Sequence, residues 1–223
     1  MSSTTYTPVA IPPVPPSPAG VGMVPPARGS VNVVARSAAD GASRSGVWVA
    51  IFAITMSFAA FTSALFVREG SAVLDWTHLV LPPILYANTV VLLLGSVTLW
   101  MASRAVNAHS LLDSHAVKTV MGWLITTLAL GLLFIAGQYE AWRQLAAQGL
   151  FLSTNPNSSF FYVFTGMHIL HLLGGIAALV YLVGQLAGSH TTFRRTAFQN
   201  TAIYWHFMGV LWLYLLFVLR TKL

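Results

Sequence analysis

The sequence predicts an all-α, polytopic membrane protein: a bundle of five transmembrane helices. Three observations carry this. Of 223 residues, 56% are apolar and only 7% are charged, against about 25% charged in ordinary soluble domains. The mean hydropathy is +0.72. Five apolar runs, charged only at their ends, reach the roughly 20 helical residues that cross a hydrocarbon core about 30 Å thick. None shows the period-two alternation of a membrane β-barrel.

The same composition excludes several functions. There are no cysteines, so there is no disulfide framework, CxxC redox pair or thiolate metal site. The net charge of +6 is accounted for by basic residues flanking apolar runs, and nucleic-acid binding is not expected. Met1 is followed by a Thr- and Pro-rich stretch with neither a basic segment nor an apolar core, so a signal peptide is not expected.

Residues 1–45 read as a tail rich in Pro, Ser, Ala and Gly, centred on PPVPPSP. Repeated proline disfavours helix and favours extended polyproline conformation, so the tail is expected to be an extended linker or docking arm. The first span is about 46–67. The second is about 78–102, with Pro82 and Pro83 near its first turn, where a missing N–H costs little. The third is about 118–141, the fourth about 159–186 and the fifth about 198–219. With the N-terminus inside, Arg28, Arg36, Arg44, Arg104, Lys118, Arg194 and Arg195 lie on the cytoplasmic side, and Arg68, Arg143, Arg220 and Lys222 lie outside. This bias favours N-in and C-out. Trp48, Trp100 and Trp123 then mark the inner interface, and Trp76 and Trp142 the outer one.

The fourth span carries the most conspicuous polar groups. His168 and His171 lie in a run without Asp, Glu, Lys or Arg from Ser158 to Phe193. Three apart, they occupy neighbouring positions on one helix face. His171 is expected about 18 Å below the outer edge and His206, in the fifth span, about 12 Å above the inner edge. In a core of about 30 Å these depths coincide, so the two imidazoles are expected to be able to face each other if the fourth and fifth helices are neighbours. One reading is a metal, haem or quinone site. The other is hydrogen bonding between helices, to lipid or to a partner subunit. A zinc site asks for three or four ligands and a second-shell carboxylate, and no Asp or Glu lies at this depth.

Other polar residues admit similar pairs of readings. Glu140, at the end of the third span, is either a proton-handling group or the partner of Arg143 in an interfacial pair. Asn88 either lines a pathway or bonds across helices. Trp205 joins His206 as a candidate lipid or interhelical polar contact. Gly174 with Ala178, and Gly184 with Gly188, are small-xxx-small pairs that permit close helix approach. No phosphate loop, catalytic triad or pair of central carboxylates is present, so no catalytic residues are assigned.

Two terminal motifs resemble a known family. FFYVFTGMHILHLLGG and YWHFMGVLWLYLL resemble the last two helices of subunit III of the haem–copper oxidases, with their TGxHxxHxxxG-type and WHFxDxxW-type stretches. GQYEAWRQL, LPPILYANTVVLLLGSVTLWMA and, more weakly, GVWVAIFAITMSFAAF resemble earlier segments of that family, so the resemblance spans about residues 46–221. Five helices match its shorter bacterial form. The chain departs from the pattern twice. The helix glutamate of the family falls at about Ala53 and Ile54, and the aspartate of the last motif is Gly209, so roles tied to those carboxylates are not carried over.

The resemblance implies a non-catalytic accessory subunit of a bacterial terminal oxidase, most simply a cytochrome c oxidase. Such a chain has no cofactor of its own. Haem and copper are expected in partner subunits I and II, with bound phospholipid against this chain. It would sit in the cytoplasmic membrane, and the tail is a candidate contact for a neighbouring respiratory complex. A quinol oxidase or nitric oxide reductase accessory subunit is the alternative within the family. Outside it stand a haem- or quinone-binding cytochrome using His168, His171 and His206, and a small transporter with Asn88 and Glu140 on its path.

Overall fold

Each of the five apolar runs forms one helix. A computed structural model describes residues 28–71, 81–108, 114–188 and 194–222. The helices are α1 (Arg28–Ser71), α2 (Ile84–Ala108), α3 (Ser114–Ala147), α4 (Pro156–Gly188) and α5 (Arg195–Lys222). All five are long and apolar enough to cross a membrane. The chain divides into two compact units, 1–38 and 39–223. The described part of the first is the helical stretch 28–38. The second holds all five spanning segments.

Two expected boundaries shift. The tail is expected to stay extended to residue 45, but helix begins at Arg28. The physical reason lies in the prolines: the last one before the first span is Pro26, and none recurs until Pro82, so nothing after Pro26 removes a backbone donor or blocks the helical ladder. The rest of the tail, 1–27, lies outside the described residues, as does Trp76. The second helix starts at Ile84 rather than near His78. Pro82 and Pro83 form its entry turn, their carbonyls accepting from the amides of Leu85 and Tyr86 at 3.1 Å.

The buried faces of α2 to α5 obey one rule. In α2 the enclosed residues include Leu85, Asn88, Leu92, Gly95, Leu99, Ala102 and Val106. In α3 they include Val120, Leu124, Thr127, Gly131, Phe134, Gln138, Ala141 and Leu145. In α4 they include Thr165, His168, Leu172, Gly175, Leu179 and Leu182, and in α5 Phe198, Thr201, Trp205, Met208, Trp212, Leu215 and Leu219. The spacing alternates three and four throughout, the seam of left-handed packing with a period of 3.5 residues.

The seams converge on Trp205. Its fully buried indole lies against one glycine from each of three helices. A Cβ added at Gly95 of α2 would lie 3.6 Å from the ring, at Gly131 of α3 2.8 Å, and at Gly175 of α4 3.3 Å. Three missing side chains thus make the space that one large aromatic fills. One heptad on, Trp212 is also fully buried, edge-on to Phe134 at 4.9 Å, and its indole N–H donates to Thr89 Oγ1 at 2.9 Å.

Helix α1 runs parallel to α5 at the edge of this core. Ser43 meets Asn200, whose Nδ2 donates to Ser43 Oγ at 2.8 Å. Higher up, Phe58 and Phe61 pack on Phe164 of α4, and Tyr214 bonds Thr62 through their hydroxyls at 3.0 Å. At the far end Lys222 pairs with Glu69 at 3.0 Å. We call the bundle face where α1 enters the near face and that of Lys222 the far face.

Candidate functional site

The three histidines are turned to three different neighbours. His168 is fully enclosed, with Phe134 of α3 at 5.8 Å and Trp212 of α5 at 5.1 Å between ring centroids. His171 is partly exposed; its Nδ1 bonds the Met167 carbonyl at 2.7 Å, and its ring leans on Phe58 of α1 at 5.8 Å. His206 lines a cleft at the near face with Ser103, Val106 and Asn107 of α2. The expected meeting of His171 and His206 therefore fails on rotation. Tyr204 is the residue of α5 that meets His171, its hydroxyl donating to the His171 carbonyl at 2.8 Å. His206, two positions on, lies about 200° around the helix and faces away. Among the described residues no group of three or more His, Asp or Glu side chains is placed to hold a metal. Divergent imidazoles likewise cannot serve as the axial pair of one haem.

The near-face cleft around His206 encloses about 370 Å³. Arg44 of α1 and Arg195 of α5 stand at it with Asn107 and Gln199, above walls of Val106, Phe198, Ala202 and Ile203. No acid is among its lining residues. Arg195, Gln199, Ala202 and His206 recur every three or four residues, so a single face of α5 supplies them. Two guanidinium forks over an apolar wall are chemically suited to an amphipathic anion, because the fork matches phosphate or carboxylate oxygens in pairs. On the other side of α1 a second groove, about 400 Å³, is walled by Gly46, Val47, Ala50, Gly174 and Ala178, with Tyr204 at its base. The Gly174 and Ala178 pair thus borders open space. At Gly184 and Gly188 a Cβ would meet nothing within 4 Å. The close approach is made by Gly175, which a small-xxx-small search passes over.

The remaining candidates separate by depth. Asn88 is buried between α2 and α3, its amide against Gly137 and 3.5 Å from the Phe134 carbonyl. Glu140 and Arg143 form an exposed i,i+3 pair at 3.4 Å, joined by Gln144 Nε2 at 3.4 Å from Glu140. Trp205 and His168, candidates by sequence for lipid or interhelical polar contact, are both wholly enclosed by protein. Trp48 and Trp100, by contrast, are exposed at the near face, and Arg104 caps the Trp100 ring at 5.0 Å. Arg44 and Arg195 are not singled out as site residues by the sequence. The helical spacing from Arg195 to His206 is the available signal.

Comparison with known proteins fits this architecture. The profile of the family described as cytochrome c oxidase subunit III matches residues 44–221. The chain belongs to the cytochrome c oxidase subunit III family. Among its relatives, the probable cytochrome c oxidase subunit 3 of Nocardia farcinica is 35% identical over 92 residues, which is 41% of this chain and 45% of that one. Cytochrome c oxidase subunit 3 of Corynebacterium diphtheriae is 32% identical over 126 residues, 56% of this chain and 58% of that one. The haem–copper oxidase subunit I+III of Aeropyrum pernix is 27% identical over 179 residues, 76% of this chain and 21% of that one. The chain thus spans about half the length of the first two relatives. The match to the subunit III family takes in all five spanning helices. Its two departures now have places. Ala53 is exposed on α1, while Ile54 is buried. Gly209 sits where a Cβ would lie 3.3 Å from Ser96 Oγ, so the absent aspartate goes with close approach of α5 to α2.

Proposed function

We propose that the chain is the accessory subunit III of a bacterial haem–copper terminal oxidase, a cytochrome c oxidase working in aerobic electron transport coupled to proton pumping. The chemistry belongs to partner subunits I and II, and this chain supplies structural support. The observation that carries the reading is the family match across all five helices. The Aeropyrum relative, whose name joins subunits I and III, supports association with a subunit I. The divergence of His168, His171 and His206 argues against the chain being a haem-binding cytochrome in its own right. The concentration of Arg44, Arg104, Lys118 and Arg195 at the near face supports placing that face in the cytoplasm and the C-terminus outside.

The support includes lipid. The near-face cleft takes an anionic phospholipid, with Arg44 and Arg195 on the phosphate and an acyl chain along Phe198, Ala202 and Ile203. Two cations held at a bilayer surface attract anionic headgroups by about 1 kcal/mol each. The double variant Arg44→Ala with Arg195→Ala is expected to copurify with less phospholipid and to lose activity faster during turnover. The haem spectrum of the complex stays unchanged. Unchanged lipid content and turnover lifetime would remove the cleft from the account, and loss of haem absorbance would remove the accessory role.

A further inference from the structure

Burial does little to hold α1 where it enters the bundle. From residue 41 to residue 53 none of its side chains is buried; the first is Ile54. Ser43, Gly46, Val47 and Ala50 recur every three or four residues and form the face turned to the second groove. Gly46 and Ala50 offer at most a methyl group there, and a Cβ at Gly46 would meet nothing within 4 Å. This face has few side chains that could interlock with α4 or α5 and fix its rotation or height.

A polar contact supplies the fixing instead. Asn200 Nδ2 donates to Ser43 Oγ at 2.8 Å. The two partners differ in setting. Ser43 is exposed, whereas Asn200 is 6% exposed and sits on α5, the helix whose buried seam holds Trp205 and Trp212. Asn200 is thus the fixed member, and α1 is the element it holds. Asn200 also lies on the ridge of α5 between the two grooves. Phe198, Gln199 and Ala202 line the near-face cleft, while Asn200, Thr201 and Tyr204 line the second groove. A bond made at that ridge seats α1 over it. One residue on from Ser43, Arg44 lies about 100° further round α1, and it lines the cleft with Arg195.

We infer that Asn200 is a positioning residue for the anionic site: through Ser43 it sets where α1 presents Arg44 to a phosphate held by Arg195. The inference rests on the reading of the cleft as a phospholipid site. A guanidinium recognises phosphate through a planar fork, so the place of its backbone matters. A long side chain on a loose helix end also loses more freedom on binding than one whose backbone is already held. Asn200 is uncharged and lines the other groove, so it acts through Arg44 and not on the phosphate.

The test measures binding of nitroxide-labelled phosphatidylglycerol to the purified complex in mild detergent. Substitutions are made at Ser43, an exposed position outside the packed core. Ser43→Ala is expected to weaken binding about 2- to 10-fold, the range of one net hydrogen bond. Ser43→Thr keeps the hydroxyl and is expected to bind as the unsubstituted complex does. Arg44→Ala is expected to weaken binding as well. The double variant Ser43→Ala with Arg44→Ala is expected to bind no more weakly than Arg44→Ala alone, because both changes act through one group. Unchanged binding in Ser43→Ala beside weakened binding in Arg44→Ala overturns the positioning role and leaves the cleft a lipid site. Additive losses in the double variant, or a loss in Ser43→Thr equal to that in Ser43→Ala, overturn the positioning role likewise. Unchanged binding in Arg44→Ala removes the lipid reading of the cleft, and the positioning role with it.

Discussion

At Gly131 a Cβ would come within 2.8 Å of the Trp205 ring, and the indole has no exposed side toward which to move. Gly131→Val is therefore expected to destabilise the bundle by about 1–3 kcal/mol, the usual cost of overpacking a closed core. Thermal unfolding of the purified complex reads this. Gly184→Ala on α4, where a Cβ meets nothing within 4 Å, is expected to be neutral or to stabilise by up to about 1 kcal/mol. Gln138 makes a different case. It is fully buried, and neither amide atom has a hydrogen-bond partner among the described residues. Gln138→Leu is expected to raise stability by about 1–3 kcal/mol by removing that desolvation cost. Such residues are only partly legible in the sequence. It shows a tryptophan beside His206, but not that three glycines from three helices surround it. Likewise, residue counts along two spans give the depths of His171 and His206, but not the rotation that separates them.

Helix existence is legible because a run of about 20 apolar residues has few other uses. Helix faces are harder. In a soluble protein an apolar stripe marks the core, but lipid-facing positions are as apolar as buried ones, so apolar periodicity goes quiet. The small and polar residues carry the signal instead. Gly95, Gly131 and Gly175, with Asn88, Thr127, Gln138, Thr165 and His168, all fall on the three–four seams of α2 to α4, where small size permits contact and polar groups avoid lipid. Helix α1 lies outside these seams and depends on a few large side chains. Phe58, 1% exposed, packs on Phe61, Phe164 and His171. Phe58→Ala is expected to cost about 3–5 kcal/mol. Limited proteolysis should show α1 becoming susceptible while α2 to α5 stay resistant. The Glu69–Lys222 pair, partly exposed at both ends, is the weaker clasp, worth no more than about 1 kcal/mol.

For the whole molecule, the five helices build two near-face grooves beside α1 and a closed aromatic core. Among the described residues they bring together no group of three or more His, Asp or Glu side chains placed to hold a metal. The chain belongs to the cytochrome c oxidase subunit III family, and the proposed accessory role turns on what the chain assembles with. The most direct measurement purifies the chain by an affinity tag in mild detergent and records both the copurifying polypeptides and the optical spectrum, before and after the partners are stripped away. The account predicts oxidase subunits I and II beside the chain, with haem absorbance that leaves with them. Haem retained in stoichiometric amount by the isolated chain, or a preparation without oxidase subunits, would contradict it.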